Sequence, residues 1–380
     1  LAKNVNEQRL VNRFLELVRI DSETGHEEEI SKALKRMFGE LGLAVTEDDT
    51  KPKTGHGAGN LICELPATPG CEGKDPIFFT AHMDTVTPGK GVKPRLDEDG
   101  YIRSDGTTIL GSDDKAGLAV MLEAIQVLRE RNIPHGPLQF IITVGEEAGL
   151  VGARALDKAL IRAKYGFALD SDGKVGDICT AAPTQAKIHA TVIGKSAHAG
   201  VNPEEGISAI QVAAKAIARM PLGRIDADTT ANIGRFAGGG PTNIVCERVD
   251  IDAEARSLVP EKLDRQVAAM REAFESAAAE FGAKVEFSSE IIYTGYKYDE
   301  SDEVVQVSME AVRRLGLEPR LFHSGGGSDA NIFNGLGFPT VNLAIGYENI
   351  HTTKEQMPVR ALVQSTELAL EIIRTVAEKE

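Results

Sequence analysis

Cysteine is scarce in this sequence. Only Cys63, Cys71, Cys179 and Cys246 occur in 380 residues, and no two are spaced as C-x-x-C. That scatter argues against a disulfide framework and against a thiolate zinc site, and it predicts a reducing, cytoplasmic setting. No apolar run approaches the ~18 residues that a membrane span requires. The first stretch, LAKNVNEQRLVNRFLELVRI, reads as an amphipathic helix rather than a signal peptide. A basic excess is lacking as well. Lys plus Arg number 42 against 57 Asp plus Glu, a net charge of −15, which speaks against nucleic acid or an anionic membrane as partner. The zinc-helix pattern H-E-x-x-H is absent, because HEEEI at His26 has no second histidine. The glycine-rich HSGGGSD at 323–329 has no lysine after it, which weakens any nucleotide-loop reading. There is neither an internal repeat nor a low-complexity tract.

What remains is an ordinary soluble composition, 42% hydrophobic and 26% charged, in a chain long enough for two or three domains. Helical patterns cover about 5–18 and 26–42, the second ending at Gly42. Short apolar strands are predicted near 60–65 and 76–81. DDKAGLAVMLEAIQVLRERN reads as a strong helix, PLQFIITVGEE as a buried strand ending in two glutamates, and YGFALDSDG as a strand ending at Asp170. Strands alternating with helices indicate an α/β domain with a mixed, largely parallel sheet flanked by helices.

After about Pro183 the rhythm changes. QAKIHATVIG, NPEEGISAIQVAAKAIARM, TTANIGRFAGG, NIVCERVDIDAEARSL, PEKLDRQVAAMREAFESAAAEFG and KVEFSSEII follow the order β-α-β-β-α-β, the ferredoxin-like split arrangement. A helix at 301–315, two strands about the glycine-rich turn and a last helix at 360–377 then resume the α/β style. The expected organisation is one domain of residues 1–183 and 297–380, interrupted by an inserted domain at 184–296.

The metal-capable residues follow apolar runs. His82 and Asp84 lie where FFTAHMDTVTPG leaves its strand. Asp113 and Asp114 open a helix in LGSDDKAG, Glu146 and Glu147 end one strand, Asp170 ends another, and His351 sits in the loop ENIHTTKE. Each has a plain alternative: polar residues at a strand end, an N-cap in SDD, or a solvated turn in GEEAG. Their joint occurrence at element boundaries favours the functional interpretation. In open α/β sheets ligands bind beyond the carboxyl ends of the strands, so these clusters can converge on one cleft. Their nitrogen and oxygen donors suit zinc, or manganese and cobalt as substitutes. So many carboxylates would repel one another around a single ion. Two ions sharing one aspartate relieve this, and such a pair activates water for hydrolysis.

Taken together, TAHMDTV, GSDDKAGLA, VGEEAGLVGA, ALDSDG, GKSAHAG and IHTTKE resemble the di-zinc metallopeptidase family that includes peptidase T, carboxypeptidase G and aminoacylase, with peptidase T-like proteins nearest. The resemblance spans nearly the whole chain. It implies a catalytic α/β domain with two zinc ions and an inserted lid domain that often dimerises. It further implies that His82 and Asp170 bind one zinc, Glu147 and His351 the other, and Asp113 both. Asp84 would fix the His82 ring, and Glu146 would be the general base. His198, Asn243 and Arg256 of the lid would bind substrate. Asp172 is a rival to Asp170, which the strand alignment favours. A cis peptide is implied after Asp113. The implied activity is hydrolysis of short peptides, as a tripeptide aminopeptidase. Carboxypeptidase or N-acyl amino-acid deacylase activity are the alternatives on the same machinery, and a peptidase-shaped interaction protein without catalysis is the contrasting class.

Overall fold

The computed structural model describes residues 5–379. The chain divides into two compact units. One comprises the residues up to Ala181, Tyr298–His323 and those from Ser328 onward; the other comprises Ala182–Lys297 with Ser324–Gly327. Among the described residues no helix is long and apolar enough to cross a membrane.

The first unit is built on a mixed sheet. Its strands run in the order Ala44–Glu47, Leu61–Leu65, Leu138–Thr143, Ile77–His82, Tyr165–Ser171, Thr340–Ala344 and Asp177–Ala182, with Arg320–His323 pairing to the last. Leu138–Thr143, Ile77–His82, Tyr165–Ser171 and Thr340–Ala344 are mutually parallel, while the strands on the Leu61–Leu65 side are antiparallel. Central parallel strands are covered on both faces, which is why IFFTAH and LQFIIT are buried at every position. Phe79 stands between Phe140 and Phe167, with ring centroids 5.9 and 5.5 Å away. The helix Ser112–Glu130 packs on these strands and is covered in turn by Glu7–Val18 and Val359–Glu378. A helix enclosed on all sides needs small and apolar residues around its whole circumference, which GLAVMLEAI provides.

The structure adds elements that the sequence pattern does not announce. Arg95–Leu96, Tyr101–Arg103 and Gln356–Pro358 form a small separate sheet. Asp329–Gly335 is a short helix rather than a continuation of the glycine-rich turn, started by Ser328 and Asn331 in a reciprocal capping box.

The second unit has an antiparallel sheet in the order Gly223–Arg224, Thr229–Gly238, Arg248–Ser257, Thr184–Ile193 and Lys284–Tyr293. Apart from the two-residue strand Gly223–Arg224, this is the split β-α-β-β-α-β arrangement. Helices Ala209–Arg219 and Pro260–Phe281 bury Val212, Ala216, Met270 and Phe274 against Val192, Val249 and Ile251 of the sheet.

One clamp in the first unit holds the loop that follows Leu138–Thr143. Buried Asn60 accepts the Val144 amide (3.1 Å) and donates to the Gly152 carbonyl (2.8 Å), while the Gly152 amide donates to Val144 O (2.9 Å). A Cβ on Gly152 would run into the Val144 carbonyl oxygen and Asn60 Oδ1. Gly152→Ala is therefore expected to lower stability by roughly 1–3 kcal/mol through overpacking. Urea denaturation measures this, and an unchanged midpoint would contradict the clamp.

Candidate metal centre and active site

Three parallel strands bring the central residues to one edge of the sheet. Ile77–His82 ends on His82, which lies opposite Thr143, the last residue of Leu138–Thr143. The chain beyond Thr143 turns at Gly145 (φ 59°) and Leu150 (φ 60°), so Glu146 and Glu147 sit on a tight loop beside His82. Asp170 is near the end of Tyr165–Ser171. Its backbone is gripped by the Asn342 side chain, which accepts Asp170 N–H (3.1 Å) and donates to Asp170 O (2.9 Å). Asp113 lies in the first turn of Ser112–Glu130 but has extended rather than helical dihedrals (φ −87°, ψ 98°). The Asp113–Asp114 peptide is cis, as the resemblance implies.

These segments converge. His82 Nε2 lies 3.0 Å from Asp113 Oδ1, 3.6 Å from Asp170 Oδ1 and 4.0 Å from Glu146 Oε2. His351 Nε2 lies 3.1 Å from Asp113 Oδ2 and 2.8 Å from Glu147 Oε1. The two oxygens of Asp113 thus face two different histidines. Asp84 is fully buried beneath His82. Its carboxylate accepts the amides of Glu146 (3.0 Å) and Glu147 (3.2 Å) and the Thr24 hydroxyl (2.6 Å). The nearer oxygen to His82 Nδ1 is the Asp84 backbone carbonyl at 2.8 Å, with Oδ1 at 3.4 Å. Asp84 therefore orients the ring through its main chain as well as its carboxylate. Asp172, the rival to Asp170, is exposed.

The electrostatics follow from crowding. Burial pushes Glu146 well above the usual carboxylate range, and Asp170, Asp329 and Glu147 push the same way. Burial likewise raises Asp170, to about 7, and Asp329, to about 6. Burial acts against the Asp113 anion too, but hydrogen bonds from His351 and His82 outweigh it and hold Asp113 below its ordinary range. His351 is raised to about 10 by Asp113 and Glu147. Such a cluster is short of positive charge.

Its donors also lie at ligand spacing. Oxygen or nitrogen atoms of His82, Asp114 and Asp170, and of His82, Asp113 and Glu147, fall within 4.8 Å of one another. Asp114 is metal-capable in the sequence but is not among the ligands that the resemblance implies. In the structure Asp114 Oδ2 accepts the His82 amide at 3.3 Å and Oδ1 is buried without a hydrogen-bond partner. The donor set fits divalent metal ions.

A model of peptidase family M20/M25/M40 matches residues 78–375. This chain belongs to that family. It is similar to YqjE of Bacillus subtilis, 61% identical over 98% of this chain and 100% of that protein. Its fold is similar to a solved aminopeptidase PepT from Bacillus cereus (61% identity, TM-score 0.93, 99% of this chain and 100% of that one). It is also similar to a solved tripeptidase from Staphylococcus aureus (51% identity, TM-score 0.96, with the same coverage). As an M20 peptidase the protein is a hydrolase of peptide bonds.

The remaining expected residues of this M20 peptidase lie in the second unit. His198 is exposed, and its Nδ1 accepts the amides of Gly200 (3.1 Å) and Val201 (3.2 Å). Those two donors leave the ring proton on Nε2. Asn243 is tied to the same place, its carbonyl accepting the Ala199 amide at 2.8 Å. Arg256 is already engaged by Glu254, with Nε–Oε1 at 2.7 Å, and reaches Tyr293 OH at 3.3 Å.

Sequence reasoning missed several supports. Thr24 holds Asp84, Tyr347 OH donates to Asp170 Oδ1 (3.1 Å), and Asp329 accepts the Thr143 hydroxyl (2.5 Å). None carries a local motif, since each acts across a long sequence separation. Of these contacts, the Asp84 hub makes a sharp prediction. In Asp84→Asn an NH2 must face either the Glu146 or the Glu147 amide, leaving a buried donor unpaired. We expect a loss of about 1–3 kcal/mol in unfolding free energy. Denaturation midpoints measure this, and an equally stable variant would refute the hub.

Proposed function

We propose that this peptidase is a metal-dependent aminopeptidase acting on short peptides, with tripeptides the foremost substrates. The observation that carries the reading is the division of Asp113, whose two oxygens face His82 and His351 separately while Glu146 lies within the same buried cluster. The similarity to an aminopeptidase PepT and to a tripeptidase supports the choice of substrate.

In this reading His82 and Asp170 hold one ion, Glu147 and His351 hold the second, and Asp113 is shared. Zinc is the foremost candidate and cobalt or manganese are alternatives. Bound there, the ions supply a Lewis acid for the scissile carbonyl and acidify an attacking water. Glu146 takes the proton of that water on a carboxylate oxygen and returns it to the leaving amine. Burial raises its proton affinity. Asp84 keeps His82 and the glutamate loop in register. From the second unit, His198 offers its Nε2–H to the oxyanion, and Asn243 and Arg256 bind substrate carbonyl or carboxylate oxygens. The inserted unit, residues 184–296, acts as the lid of the catalytic domain formed by 1–183 and 297–380.

The scattered cysteines support a cytoplasmic location, and the acidic charge supports the absence of nucleic-acid and membrane partners. A homodimer through the second unit is supported by the strand Thr229–Gly238, whose outer side is paired only over its first residues. The short strand Gly223–Arg224 pairs there with Thr230 and Ala231, and Phe236 is 41% exposed.

Two experiments test this. Tripeptides with free or blocked termini should be cleaved only when the amino terminus is free; cleavage of amino-blocked peptides would favour carboxypeptidase or deacylase activity instead. Glu146→Gln should keep its metal content yet lose on the order of 10²-fold or more in turnover, whereas Glu147→Ala should lose affinity for one ion. Equal metal content and equal turnover in the two variants would overturn the division of roles.

A further inference from the structure

Glu355 lies four residues after His351 and is 2% exposed. Its Oε1 accepts the amides of Leu110 and Gly111, both at 2.8 Å. Its Oε2 accepts the Ser112 hydroxyl at 2.5 Å and the Asp113 amide at 3.1 Å. One buried carboxylate thus has both oxygens satisfied by four donors from four consecutive residues.

Those four residues deliver Asp113. Gly111 is left-handed (φ 85°), a conformation that glycine adopts without a Cβ penalty, and it offers the helix no side-chain cap. Asp113 is extended, so the helix that follows does not dictate where its carboxylate points. The turn is held from outside, by Glu355.

The other end of the restraint is equally specific. Glu355 donates its own amide to Thr352 O (3.2 Å), and Glu348 pairs with Gln356 across the base of the loop that contains His351. One short loop therefore makes two contacts with Asp113. His351 Nε2 meets the Asp113 side chain at 3.1 Å, and Glu355 Oε2 meets the Asp113 backbone at 3.1 Å.

We infer that Glu355 is a positioning residue that fixes the Leu110–Asp113 turn against the His351 loop, so that Asp113, His351 and Glu147 form one preset ligand group. The inference rests on the metal centre proposed above. A simple helix cap would give the same hydrogen bonds but would contribute to stability alone. A positioning residue also sets the affinity of the ion on the His351 side. His82 and Asp170 stand on strands and do not depend on this loop.

The test uses the full-length protein, stripped of metal and titrated with zinc. In Glu355→Gln the carbonyl oxygen can still accept Leu110 and Gly111, but an NH2 then faces the Ser112 hydroxyl and the Asp113 amide. Weakening of the ion on the His351 side by roughly 10–100-fold is expected, with a clearly smaller loss for the other ion, which shares Asp113 but keeps His82 and Asp170 on their strands. Turnover of a tripeptide should fall at limiting zinc and recover at saturating zinc, with KM unchanged there. Glu355→Ala should show the same split more strongly. Wild-type isotherms for both variants would overturn the inference. So would equal loss of both ions in step with a lower melting temperature, which is the behaviour of a plain cap.

Amide hydrogen exchange separates this inference from the reading beneath it. If the wild-type protein takes up no zinc, the proposed centre fails. The anchor is still decided by the Leu110, Gly111 and Asp113 amides. Exchange at least roughly tenfold faster in Glu355→Ala supports it, and unchanged exchange overturns it.

Discussion

The first unit depends on an excess of buried negative charge at the carboxyl edge of its sheet. Asp84, Asp113, Asp114 and Asp329 are buried outright, and Glu146, Glu147 and Asp170 nearly so. Two histidines are the cationic groups that face them directly. Anions brought this close either bind protons or bind cations. Burial and crowding raise Asp170 and Glu146, the direction of the first response; the spacing of the donors fits the second.

Holding like charges together requires a stiff frame, and the frame works by hydrogen bonds from donors that cannot be withdrawn. Backbone amides of Glu146 and Glu147 are fixed on Asp84, Asn342 brackets the backbone of Asp170, and Asn60 closes the glutamate loop. Glu355 extends the same device to Asp113. In each case a polar side chain that is itself buried, or nearly so, restrains the main chain next to a candidate ligand. Ligand directions are thereby set before any ion or substrate arrives, and little reorganisation remains for binding. The aromatic packing of Phe79 with Phe140 and Phe167 then keeps the strands beneath in register.

The two units carry different kinds of side chain. The first collects acids and two histidines. The second offers donors: the Nε2–H of His198, whose tautomer is set by the Gly200 and Val201 amides, and the guanidinium of Arg256 held by Glu254.

Much of this was legible in the sequence by itself. Periodicity located the parallel strands, the buried helix after Asp113 and the β-α-β-β-α-β order of the second unit, because burial of one face or of all faces leaves a local imprint on residue type. Chemistry-bearing residues at the boundaries of strands, a helix and a loop marked His82, Asp84, Asp113, Asp114, Glu146, Glu147, Asp170 and His351 as candidates, and the structure brings them together. What only the tertiary structure decided were contacts between residues far apart in the chain. Thr24 on Asp84, Tyr347 on Asp170 and Glu355 on the Asp113 turn leave no periodic signal, since a single hydrogen bond across 60 to 242 residues constrains one position and not a pattern. The division of Asp113 between two histidines and the exposure of Asp172 are of the same kind. They depend on where strands end in space, and that is settled by packing rather than by any local run of residues.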